Sequence, residues 1–249
     1  MNMRTGTWQV QVQGWVSDLE HLARHFTATR SRVVKDDRGD GYLYESDAFS
    51  VCQGSEDVLN VANEDFRVLS GVLKLVRDSP EALRSGAVYR LNAKGGRDAF
   101  VHIHASVHAR AEFGEVTVTT TDSAGKTVVR HEPPPRTIAV SKLAFTDVAV
   151  AKAMRLLAGS DHKSWVGMYR IHEVIESDLG GQHALMKQGW GSAKDLKRFK
   201  HSANSVEVGG DAARHGKEVD QPPTNPMSID EAAAYLTYVL QSWLTAKGA

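Results

Sequence analysis

The hydrophobic period of this chain changes once, and that change limits the fold more than any single motif does. In the first half, apolar residues recur at every second position. Trp8, Val10 and Val12 alternate with Gln9, Gln11 and Gln13, the pattern of a strand with one buried face. After about residue 140 apolar residues recur at three and four, as they do along one side of a helix. Pro133, Pro134 and Pro135 lie between the two regimes. Consecutive prolines lack amide donors and interrupt either kind of regular structure. A chain with strands first and helices afterwards is expected to be α+β, with an antiparallel sheet in its N-terminal part.

Within residues 1–138 the reading is an α+β domain. Residues 8–16 form a strand, and Asp18 begins a short helix that places Leu19, Leu22 and Phe26 on one face. Strands follow at 30–35 and 41–46 around the turn Arg38-Gly39-Asp40-Gly41. Residues 56–77 carry the stripe Val58, Ala62, Phe66, Leu69, Leu73 and Val76, one long helix. Further strands are expected at 87–91, 100–108, 115–121 and 126–130. Residues 139–249 read as a helical bundle. One helix carries Phe145, Val148, Met154 and Leu157, and others run over 165–179, 193–203 and 228–246. The last begins with Ser228 three residues before Glu231, the spacing of a capping box. The 204–227 connection is long for a bundle, and loops of that length often carry function.

Composition narrows the chemistry. Thirty Lys and Arg balance thirty Asp and Glu, so no global field draws the chain to nucleic acid. The only cysteine, Cys52, excludes disulfide frameworks and cysteine-based zinc sites; it reads as a packed thiol. The N-terminus has no apolar core of a signal peptide, and no apolar run reaches membrane-spanning length. The expectation is a cytoplasmic protein without a membrane contact. No cofactor fingerprint is present: the pairs Gly95-Gly96, Gly180-Gly181 and Gly209-Gly210 match neither a phosphate-binding loop nor a dinucleotide motif. His102, His104 and His108 alternate along one strand face, but no local carboxylate or thiol completes a metal site, so they read as an exposed polar face.

Two helices and the loop between residues 204 and 227 hold the candidate site. On the 165–179 helix, Tyr169, His172 and Glu176 share the face of Trp165, Met168 and Ile175. Polar groups in an apolar stripe need partners. Either His172 and Glu176 satisfy each other, or this face lines a polar site. On the 193–203 helix, Lys194, Arg198 and His201 lie opposite Leu196, Phe199 and Ala203. They form either a solvated basic face or a phosphate-contacting surface. Between Lys194 and Lys217 six Lys and Arg oppose three carboxylates, a local positive patch in a neutral chain. Asn204 follows the helix, and the loop contains Asp211-Ala-Ala-Arg214-His215-Gly216. Arginine, histidine and asparagine can hold and cleave a phosphodiester without a metal. A histidine moves the proton, and an arginine holds the developing charge.

His215-Gly216, the loop 217–227 and the capped helix from Ser228-Ile-Asp-Glu-Ala to Trp243-Leu244 resemble the HEPN domain superfamily of prokaryotic toxins and defence ribonucleases. The resemblance covers about residues 145–246. It implies a helical bundle, a homodimer and metal-independent RNA cleavage. Catalytic members place an arginine several residues before the histidine. Here Val208, Gly209 and Gly210 occupy those positions, and the arginine is adjacent, at 214. The expected catalytic set is Arg214, His215, Asn204, Arg198 and His201, supported by Tyr169, His172, Glu176 and Asp211, with RNA as the partner. The alternative is a non-catalytic interaction, scaffold or ligand-sensing protein. In either case the N-terminal domain is available to bind a protein partner or small ligand.

Overall fold

The structure, a computed structural model, describes residues 7–27, 30–92, 94, 96–101, 135–214, 217, 221 and 223–249. The expected strands at 115–121 and 126–130, most of the one at 100–108, and His102, His104 and His108 lie outside these residues, as do Pro133 and Pro134. The fold is α+β: an antiparallel sheet with helices, followed by a run of helices. It divides into two compact units. One comprises residues 1–67 and 78–138, the other residues 68–77 and 139–249.

The first unit is built on β1 (Trp8–Gln13), β2 (Ser31–Lys35), β3 (Tyr42–Ser46), β4 (Arg84–Leu91) and β5 (Arg97–Phe100). Their order is β2-β3-β1-β4-β5, with every neighbouring pair antiparallel. Val10 pairs with Tyr44 on one side and Val88 on the other, and all three are fully buried. Period-two alternation therefore sends Trp8, Val10 and Val12 into the core. The register shifts between Val10 and Val12 against β4, a bulge of the kind that bends a strand. Helix α1 (Val16–His25) buries Leu19 and Leu22. It begins two residues before the expected Asp18, after a Trp15 cap without a side-chain hydrogen bond. Helix α2 (Ser55–Arg77) sets Phe66 edge-on to Tyr44 at 5.1 Å. The buried Tyr44 hydroxyl donates to Asp65 at 2.7 Å, which satisfies both groups.

The second unit takes the end of α2 and, from Ala139 on, the rest of α3 (Arg136–Ala144), with α4 (Val148–Ala158), α5 (Trp165–Asp178), α6 (Gln182–Lys187), α7 (Ala193–Asn204), α8 (Val206–Gly209) and α9 (Ile229–Ala246). Phe145 does not share a helix with Val148. Asp147 breaks the run by accepting from the amides of Ala149 and Val150, which caps α4. The expected capping box at Ser228 and Glu231 is present on α9. Val72, Met154, Ile171, Phe199, Leu236 and Trp243 belong to one core cluster. Among the described residues no helix is long and apolar enough to cross a membrane.

Two glycines allow backbones to touch. A Cβ at Gly71 of α2 would overlap the carbonyl oxygen of Met154 on α4, and one at Gly167 of α5 would overlap the carbonyl oxygen of Asp161. Neither obstacle is a side chain that can rotate away. Gly71→Ala is expected to lower stability by about 2–3 kcal/mol, in the overpacking range. The control is Gly54→Ala, where nothing lies within 4 Å of the added carbon. Urea unfolding of the two variants checks the difference.

Candidate functional site

The site elements are fixed from α5. The 3.6-residue period turns Trp165, Met168, His172 and Ile175 inward, and all four are buried. His172 has no exposed surface. Its ring lies 5.3 Å from that of Phe199, 6.3 Å from Tyr235 and 6.4 Å from Tyr169. Nδ1 is 3.5 Å from Glu176 Oε2, too long for a good hydrogen bond. Neither ring nitrogen has a hydrogen-bond partner among the described residues. Glu176 turns instead to Lys200, which donates to it at 2.6 Å and to Gln182 at 2.9 Å. Burial first, and the Lys200 ammonium second, press the His172 imidazole down to about 4, against a smaller opposing pull from Glu176. His172 is thus a neutral ring sealed among aromatics, out of reach of any external proton acceptor.

Arg198 and His201, expected to face solvent or a phosphate, are both engaged with the chain that leads into α9. Arg198 donates to the carbonyl oxygens of Asn225 and Pro226, each at 3.1 Å, and to Glu231 at 3.3 Å. His201 Nε2 lies 2.7 Å from the carbonyl oxygen of Gln221. Next to His201 on α7, the buried Ser202 hydroxyl accepts from the Met227 amide at 2.8 Å. These side chains act as a clasp. An irregular segment has no ladder of its own, so its carbonyls and amides need side-chain partners.

Arg214 stands apart from that clasp. Its amide donates to the carbonyl of Ala203 at 2.9 Å, which returns the chain to the end of α7. Its guanidinium donates to Glu173 at 2.9 Å and lies 4.1 Å over the Tyr169 ring. The Arg214 side chain is 32% exposed, so part of this cation faces water. Asn204 is half-buried, and its Oδ1 has no partner among the described residues. Asp211 is exposed on the short 3-10 turn Gly210–Ala212. His215 and Gly216 lie outside the described residues. The structure therefore places six of the predicted residues in three settings, with His172 near Glu176, Arg198 with His201 and Arg214 with Tyr169, while Asn204 and Asp211 belong to none of them.

A groove lies between α4 and α5. This groove of about 680 Å³ is lined by Val148, Ala149, Leu156 and Val174, with Lys152, Arg170 and three carboxylates. Each of its three carboxylates has a partner, and Lys247 is shared between two of them. Asp147 accepts from Lys247 at 2.6 Å, Asp178 from Lys247 and from the Trp243 indole, each at 2.9 Å, and Glu173 from Arg214. Partial burial pushes the Asp147 carboxyl up, but Lys247 and the two capping amides outweigh it and hold it below the usual carboxylate range.

Glu173 and Lys200 were not singled out from the sequence, although each had a signal. Glu173 is one helical turn beyond Tyr169, so the two share a face. Lys200 lies two residues beyond Arg198 on an otherwise basic helix. Apart from Glu231, the partners of the clasp are backbone atoms, which carry no such mark. Among the described residues no group of three or more His, Cys, Asp or Glu is placed to hold a metal. Compared with protein-family models, curated proteins and solved structures, the chain matches none of them.

Proposed function

We propose that the second unit is a non-catalytic interaction module on a HEPN-like bundle, in which the polar cluster of α7 organises the loop ahead of α9. The observation that carries this reading is the clasp: Arg198, His201 and Ser202 each bond the main chain between Gln221 and Met227. A side chain held by fixed carbonyls has less capacity to meet a substrate phosphate. Arg198→Ala is expected to lower stability by about 2 kcal/mol, the scale of hydrogen bonds that involve a charged group. The same protein should leave single-stranded RNA intact before and after the change. Thermal unfolding and a gel-based RNA assay read the two effects. Wild-type cleavage that Arg198→Ala abolishes without a change in melting would sink this reading.

A second reading is metal-independent RNA cleavage of defence or toxin type in a homodimer, with Arg214 holding phosphate and His215 moving the proton. One observation favours it: the guanidinium of Arg214 is oriented by Glu173 and Tyr169 while keeping a solvent-facing part. In that case wild type cleaves RNA, and both Arg214→Ala and His215→Ala lose most of the rate while remaining folded.

A further inference from the structure

We infer that the sheet of the first unit is curled and held so by an ionic latch. Arg97 on β5 grips Asp36 and Asp37 beyond the end of β2, and loss of that grip lets the sheet uncurl and uncover a polar face. Among the described residues β2 and β5 are the two edges of the sheet. Four strand spacings of about 4.8 Å separate them, roughly 19 Å if the sheet lay flat. The gripping residues also come from opposite corners. Arg97 pairs with Leu91, past the Trp8 end of β1, whereas Lys35 pairs with Tyr42, which pairs with Val12 near the other end. No arginine and aspartate side chains reach across that diagonal of a flat sheet. Yet Arg97 donates to Asp36 at 2.6 Å and to Asp37 at 2.9 Å. The sheet therefore coils until these corners meet, a step towards the closure of a barrel. The bulge in β1 against β4 supplies a bend.

The coil encloses the face opposite Trp8, Val10 and Val12. Gln9 pairs with Tyr89 on β4 and donates to Glu45 on β3 at 2.6 Å. Arg32 on β2 donates to the same carboxylate at 2.6 Å. Tyr89 pairs with Ala99 on β5. One row thus crosses all five strands, most of it polar, and Arg97 closes over it with its guanidinium 5.6 Å from the Tyr89 ring centroid. The row is covered: Gln9 is 6% exposed, and Leu43 on the same face 1%. The grip itself is buried. The Arg97 side chain is 10% exposed and that of Asp36 13%, so salt screens their attraction little, and removing either partner strands a charge. Asp36 is a preset acceptor. Its amide donates to the Gly41 carbonyl at 2.8 Å, and its carboxylate also accepts from the Arg38 amide at 3.0 Å. The Arg97 Nε has no hydrogen-bond partner among the described residues. The guanidinium is therefore held by the two aspartates and the Tyr89 ring.

Spin labels on the full chain test whether the corners meet. Cys52→Ser removes the only cysteine. Asp40→Cys and Lys94→Cys, both at exposed positions, then place one label at each corner. Strong dipolar broadening is expected with the latch intact. Arg97→Met keeps the apolar stem, removes the guanidinium and should abolish most of the broadening. Asp36→Asn with Asp37→Asn should do the same. Arg90→Met, on β4 with its side chain over Trp8, should leave it unchanged. Amide hydrogen exchange gives the second readout. Arg97→Met should speed exchange in β2 and β5 by roughly tenfold or more while β1 keeps its wild-type rates. No broadening with the latch intact overturns the inference, and so does broadening that Arg97→Met leaves unchanged. Exchange that accelerates equally in β1 also overturns it, because Arg97 would then support the whole sheet and latch nothing.

Discussion

Trp243→Ala should cost the second unit a large part of its stability. The indole has no exposed surface, and it sits in the core cluster with Leu240 and Leu244. Large-to-small changes at such sites cost about 3–5 kcal/mol, because transfer free energy is lost and a cavity opens. That is a large part of the 5–15 kcal/mol that typically holds a domain. A second loss adds to it. The indole N–H donates to Asp178 at 2.9 Å, and Lys247 lies 5.3 Å from the ring centroid. Trp243→Phe helps to separate the two contributions, since it keeps a buried aromatic ring and most of the volume while deleting the donor. The expected order of stability in urea unfolding is wild type, then Phe, then Ala. Equal midpoints for Ala and wild type would contradict the placement of this residue.

The other large effect is a pH dependence located at His172. Its folded-state value of about 4 lies below the ordinary 6.5. A depressed value means the unfolded chain binds the proton more tightly. The contribution to stability is therefore complete above about pH 6.5 and is lost as pH falls through the window down to about 4. A shift of this size corresponds to about 3 kcal/mol. His172→Phe is expected to flatten that part of the stability profile, because an aromatic ring without nitrogens suits the setting of Phe199, Tyr169 and Tyr235. Denaturant unfolding at a series of pH values from 7 to 4 compares the two proteins. A parallel decline in both would assign the acid sensitivity to other groups.

These two residues also show what a sequence can and cannot reveal. Trp243 was legible as core because it falls in the stripe of α9 with Leu236 and Leu240, behind the Ser228 and Glu231 box. That stripe says nothing of Asp178, since a hydrogen bond across 65 positions leaves no period. His172 and Glu176 were legible as neighbours from their four-residue spacing. The decisive fact, that Glu176 turns to Lys200 and leaves the ring to the aromatics, depends on how α5 meets α7. The strands of the first unit were readable where alternation is clean, as at Trp8–Gln13. Helix α3 was not. Its Ile138, Val140, Ser141 and Ala144 are buried without the contrast between faces that an amphipathic reading needs. Taken as a lone helix, α7 would turn Arg198 and His201 outward to a phosphate. In the structure an irregular segment comes to that face and uses it.

The make-up of the two units has a practical consequence for taking the chain apart. Neither unit is contiguous, for residues 68–77 belong with 139–249 while 78–138 belong with 1–67. A fragment cut cleanly at residue 139 would lack Val68 and Val72, both buried members of its own core cluster. It would enter solution with an exposed apolar seam where those side chains had been, and exposed seams of this kind promote aggregation. A minimal second unit therefore has to be re-joined, with residues 68–77 fused through a flexible linker ahead of residue 139.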